Sequence, residues 1–188
     1  LRGPIAVCEN GVIKMGAKIY GATTIGPYSK VGGEVNNCMI QGYSNKGHDG
    51  FLGNSVLGEW CNLGADTNNS NLKNNYQSVD LYNYPEGKYV DTELQFCGLI
   101  MGDHSKSAIN TMFNTGTVVG VSANIYGADF PSKFIPSYSW GGRKPLEYKF
   151  EKAMDTAKRV MERRNISLTE EDLEILEFVY DESQKFRK

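Results

Sequence analysis

Leu1, Val7, Ile13, Ile19, Ile25 and Val31 follow one another at intervals of six residues, and all six are aliphatic. Small residues stand two positions before three of them, at Ala17, Thr23 and Ser29, and glycine follows two, at Gly26 and Gly32. The register resumes with Phe51, Leu57 and Leu63, and again with Phe113, Val119 and Ile125. A six-residue unit is a short strand plus a turn. Three units close a triangular coil, and the aliphatic residue of each points inward onto its equivalent in the next coil. An ordinary antiparallel sheet would alternate with period two and would not hold this register. The spacing therefore predicts an all-β chain: a parallel β-helix over residues 1–127, of about five or six coils. Val7, Ile13, Ile19, Ile25, Val31, Leu57, Leu63, Val119 and Ile125 are its expected inward positions.

Composition agrees. There are 21 glycines and only 6 prolines in 188 residues, and Gly and Asn are the residues that accept turns of positive φ. The formal charge of -2 lacks the basic excess that phosphate-backbone binding needs, so nucleic acid is not the expected partner. No apolar run approaches the ~20 residues of a membrane helix. Cys8, Cys38, Cys61 and Cys97 form no CxxC pair and read as small buried hydrophobes in a reducing, cytoplasmic setting. Leu1 already occupies an inward position, and an uncapped coil leaves unpaired backbone groups, so more hexapeptides are expected upstream.

Two segments depart from the period. Residues 66–95 interrupt it with many asparagines, and a long loop leaving a rigid solenoid reads as functional. This loop is expected to reach the site or a neighbouring subunit. Residues 146–188 carry 20 charges in 43 positions. Phe150, Ala153, Met154, Ala157, Val160 and Met161 recur at helical spacing. A second helix is capped by Ser167 or Thr169, has acids in its first turn, and carries a stripe of Leu173, Leu176, Val179 and Tyr180. A pair of α-helices is thus expected, with its charges a solvated face, joined to the body by a linker over 128–145.

The run from Lys46 through His48 to Gly53 resembles the histidine-containing turn of the bifunctional enzymes that acetylate glucosamine 1-phosphate and then uridylate it. Cys61-Asn62-Leu63-Gly64-Ala65-Asp66-Thr67, with Asn71 beyond, resembles their Asn-Ile-Gly-Ala-Gly-Thr stretch. Glu34-Val35 resembles their Glu-Ile, fourteen residues before the histidine. These enzymes belong to the hexapeptide-repeat acyltransferases, whose coil is a left-handed parallel β-helix. Gly42 to Gly53 and the Ser139 to Gly142 loop also resemble a branch described as sugar nucleotidyltransferases.

The resemblance implies acetyl transfer from acetyl-CoA to an amino sugar phosphate in a homotrimer. An attacking amine must lose a proton, and an imidazole accepts one near neutral pH. His48 is then the general base and Glu34 the carboxylate that orients it. Asn71 matches the asparagine that contacts the sugar, with Lys46 and Lys73 as further substrate contacts. The resemblance also implies an upstream nucleotidyltransferase domain working with Mg²⁺. No metal site is expected in this chain, because a zinc enzyme of the carbonic anhydrase kind needs three histidines and only His48 and His104 are present. Asn36 and Phe51 stand where the family has the lysine and tyrosine that hold the sugar phosphate. The alternatives are that His48 only bonds backbone in its turn, and that the β-helix is a non-catalytic trimerising or regulatory scaffold. His104 reads as a surface or packing residue.

Overall fold

A computed structural model describes residues 1–187; Lys188, the last residue of the expected helical extension, lies outside them. The parallel β-helix is present. Its first face is a seven-stranded sheet running from Ile5–Val7 through Thr23–Ile25, Met39–Ile40, Val56–Leu57, Ile100–Met101 and Val118–Val119 to Phe134–Ile135. The second face runs from Val12–Ile13 through Lys30–Val31, Asn45–Lys46, Asn62–Leu63, Lys106–Ser107 and Asn124–Ile125 to Ser139–Trp140. The third carries Lys18–Tyr20, Glu34–Asn36 and Phe51–Gly53, then Asn68–Asn69 beside Met112–Phe113.

Successive rungs are parallel and in register, so each inward side chain meets the one above it. Ile25, Ile40, Leu57, Met101, Val119 and Ile135 form one such column, all almost fully buried. Of the expected inward residues, Ile19, Ile25, Val31, Leu57, Leu63, Val119 and Ile125 lie in the core. Val7 is exposed and Ile13 half-buried, because both belong to the first coil, which has a neighbour on one side only.

The six-residue count fails where the coil shortens. Thr24 pairs with Met39, and Lys30 with Asn45, each fifteen residues on rather than eighteen. The inward position of that rung therefore falls on Lys46. It also shifts the phase at the next strand: Leu52, not Phe51, is the buried residue, and Phe51 stands outward beside Glu34.

The stretch expected as a linker is part of the coil. Phe134–Ile135 and Ser139–Trp140 add the seventh rung, and Leu146–Glu147 folds back antiparallel on the latter strand, closing that end. The interruption is also shorter than expected, since Asn68–Asn69 is a coil strand. What leaves the coil is a hairpin, Asp80–Asn83 against Lys88–Asp91. It folds onto the first face of its own coil, where Tyr82 stacks on Phe134 with centroids 3.6 Å apart.

Two helices follow, α1 (Phe150–Glu162) and α2 (Glu170–Glu182). Ala153, Met154, Ala157 and Met161 are the buried stripe of α1, and Leu176 that of α2. They pack around Tyr138 and Tyr148. Thr169 caps α2 in a reciprocal box with Asp172, satisfying two backbone donors of the first turn.

Three cysteines are buried as expected; Cys8 is exposed, lying on the open first coil. Burial pushes the Cys38 and Cys61 thiols up to about 11 and 12, so neither supplies a thiolate at neutral pH. Among the described residues no helix is long and apolar enough to cross a membrane.

Candidate functional site

His48 lies at the corner between the second and third faces, directly after the Asn45–Lys46 strand, and its side chain is exposed. The turn that carries it is held from below and from within. Gly33, one coil beneath, has φ of +67°, and a Cβ there would meet the His48 carbonyl oxygen at 2.7 Å and the Gly50 carbonyl oxygen at 2.9 Å. Only glycine combines that conformation with that approach. From within, the Lys46 ammonium donates to the carbonyls of Gly32, His48 and Asp49.

Lys46 is 1% exposed. Burial holds its pKa below the usual lysine range, with Asp49 and Asp66 opposing. Its donors are spent on backbone, so it is no substrate ligand in this arrangement. It replaces an aliphatic core residue and ties the histidine turn to the coil.

Glu34 is half-buried and accepts a 2.6 Å hydrogen bond from the Tyr20 hydroxyl. That bond raises the Tyr20 pKa. Among the described residues no hydrogen bond joins Glu34 to His48, so the expected orienting pair is not formed here. Glu34 instead sits in a row along the third face. It is paired in register with Phe51, and a Cβ on Gly53 would touch both the Phe51 ring and Asn71 Nδ2. Asn71 donates to Asn54 Oδ1 at 2.7 Å. The structure thus gathers Glu34, Phe51 and Asn71 on one face, with His48 at its corner. Lys73 stands at the root of the hairpin, paired with Asp80 at 3.1 Å.

Beside His48 opens a groove of about 600 Å³ on the second face. Tyr43 and Asn45 line it from the coil, along with Lys14 and Lys30, and the end of α1 closes it with Arg163 and Arg164. Among the described residues no carboxylate lines it. Arg164 Nη2 donates to Asn45 Oδ1 at 3.3 Å, fixing the helix end to the strand that precedes His48. In the sequence the arginines are indistinguishable from the other charges of the tail, which read as a solvated face. No local pattern distinguishes them; the docking of α1 brings them here.

Tyr43 belongs to a column of corner residues with left-handed backbone. Tyr28, Tyr43, Trp60 and His104 have φ of 57°, 58°, 59° and 59°, conformations that cost bulky side chains energy. Their rings stack one coil on the next, at 5.1, 4.1 and 6.2 Å. His104 is accordingly a packing residue. Burial, and then the Lys106 ammonium, push its pKa down to about 4.

No family model matches the chain. It is 32% identical over 87 residues to the bifunctional protein GlmU of Methanocaldococcus jannaschii, which is 46% of this chain and 21% of that protein. The chain resembles the hexapeptide-repeat acyltransferase family. A second relative is the bifunctional sugar-1-phosphate nucleotidylyltransferase/acetyltransferase of Sulfurisphaera tokodaii, 30% identical over 93 residues, 50% of this chain and 23% of that one. The chain therefore spans about a fifth of the length of the curated relatives it matches. Among solved structures, the polySia-specific acetyltransferase NeuO aligns over 76% of this chain and 86% of its own, at 12% identity and a TM-score of 0.34. A mutant of AntD, an N-acyltransferase from Bacillus cereus, solved in complex with dTDP and coenzyme A, aligns over 86% and 90%, at 11% and 0.36. Likeness that distant says nothing of chemistry.

Proposed function

We propose that this β-helix transfers an acetyl group from acetyl-CoA to the amine of an amino sugar phosphate, with His48 as general base. The observation that carries the reading is the placement of His48: an exposed imidazole on a rigid turn, at the wall of a groove lined by cations and, among the described residues, free of carboxylates. Both substrates are phosphate esters, and cations without competing acids suit them. The amine nitrogen attacks the thioester carbonyl while His48 accepts its proton. The C–N bond forms, the C–S bond breaks, and the sulfur leaves as the coenzyme A thiol once it takes up a proton. No covalent enzyme intermediate is involved. Asn71 and Phe51 offer the acceptor a surface on the third face, and backbone N–H groups of the coil turns are available to the oxyanion.

A second reading is favoured by one observation. Glu34 accepts from Tyr20, and among the described residues no hydrogen bond joins it to His48. On that reading the coil is a trimerising or regulatory scaffold for a sugar-phosphate nucleotidyltransferase. One assay separates the two: release of free thiol from acetyl-CoA over a panel of amino sugars and their phosphates. Acceptor-dependent release that His48→Ala abolishes supports transfer. No release with any acceptor, together with no binding of acetyl-CoA, supports the scaffold.

A further inference from the structure

Lys14 and Lys30 come from the first two coils, and Arg163 and Arg164 from the end of α1, more than 130 residues later. All four line the groove beside His48. Among the described residues none of the four is in an ion pair, although the other ion pairs of the chain include two arginines with their carboxylates on exposed surface. Four like charges converging on one concavity repel one another, and an arrangement of that kind is favourable when an anion completes it. Guanidinium groups present paired N–H donors that match phosphate oxygens, and lysines add point charge. The groove holds about 600 Å³, enough for a phosphate ester of substantial size.

We infer that the helical extension is part of the binding site: Arg163 and Arg164, with Lys14 and Lys30, hold a phosphate ester beside His48. This deepens the acyl-transfer reading and rests on it for what the phosphate belongs to, either the pyrophosphate and 3′-phosphate of coenzyme A or the phosphate of the acceptor sugar. Asn45 is the positioning residue, because its bond to Arg164 sets the helix end over the groove. The extension is then no solvated appendage. Its buried face anchors it on the coil, and the two residues that follow α1 supply half of the anion site.

Titration calorimetry of the whole chain with coenzyme A, 3′-dephospho-coenzyme A and glucosamine 1-phosphate, at low and at high salt, tests this. At least one of the three is expected to bind, with affinity falling as salt rises. Arg163→Gln with Arg164→Gln is expected to weaken that binding at least tenfold, whereas Lys158→Ala, on an exposed position of the same helix, leaves it unchanged. A loss confined to coenzyme A names the co-substrate as the source, and a loss confined to the sugar phosphate names the acceptor. Lys14→Gln with Lys30→Gln repeats the test on the coil should the helix variant fold poorly. Absence of binding by all three compounds overturns the inference, as does wild-type binding by both double variants. The two readings fail separately. Phosphate binding lost in the double variants, without acetyl transfer in the wild type, keeps the anion site and removes the transferase. Transfer undiminished in the double variants does the reverse.

Discussion

The Nζ of Lys46, inside the coil, donates to the carbonyl oxygen of His48, two residues on and outside it. One buried cation thereby fixes the backbone of the residue proposed as general base. Lys46→Met fills the same volume and removes three charge-assisted bonds. It also removes the desolvation cost of a buried ammonium, so the two terms oppose. Net stability is expected to shift by no more than about 2 kcal/mol. Amide exchange at 47–50 should nevertheless speed up while the neighbouring rungs stay protected. Unchanged exchange at that turn contradicts the role given to Lys46.

His48→Ala is expected to lower acetyl transfer by about 10²–10⁴-fold, the usual contribution of a positioned base. Binding of acetyl-CoA should change little, because the groove cations remain. Single-turnover thiol release and calorimetry measure the two quantities apart. An equal loss in both indicates a binding residue instead.

The aliphatic column predicts a steep cost for core truncation. Leu57 is fully buried between Ile40 and Met101. Leu57→Ala should cost about 2–5 kcal/mol, read as a shift in the denaturant midpoint. Val7→Ala, on the exposed first coil, should cost much less. Equal costs at the two positions would mean that the inward column is not the core.

Stability should fall in mild acid through His104. Its folded pKa is about 4, while an unfolded histidine titrates near 6.5. Between those values the unfolded chain binds a proton that the folded chain refuses. Stability from this group is therefore complete above about 6.5, declines as pH drops toward 4, and levels off below. The loss is on the order of 3 kcal/mol. Lys106, pushed down to about 8, is charged in both states across that window and adds no slope. His104→Phe keeps a ring against Trp60 and removes the titration. Thermal melts between pH 4 and 7 should show a shallower pH dependence for that variant than for the wild type.

The spacing of apolar residues along the chain was enough to place the coil and the kind of tail attached to it. Most inward slots in a stacked triangle take apolar or small residues, so burial writes itself into the chain at intervals of six, and Ile19, Ile25, Val31, Leu57, Leu63, Val119 and Ile125 could be placed from spacing alone. The helices were legible for the same local reason, in the stripe from Ala153 to Met161 and the cap at Thr169. Tertiary structure decided everything that depends on how many residues a coil spends and on what docks against it. The fifteen-residue coil put Lys46 in the core and Leu52, rather than Phe51, inside. The segment 134–140 became a rung because its backbone donors and acceptors found partners in the strands ending at Val119 and Ile125. Glu34 found Tyr20 rather than His48, since the pairing of Lys18–Tyr20 with Glu34–Asn36 puts the two outward side chains diagonally opposite on adjacent rungs of one face. Arg163 and Arg164 reached the groove because the apolar stripe of α1 had to be buried, and the face it covered was the one beside His48. A local period reports which residues are buried; only packing between distant segments sets which exposed ones converge.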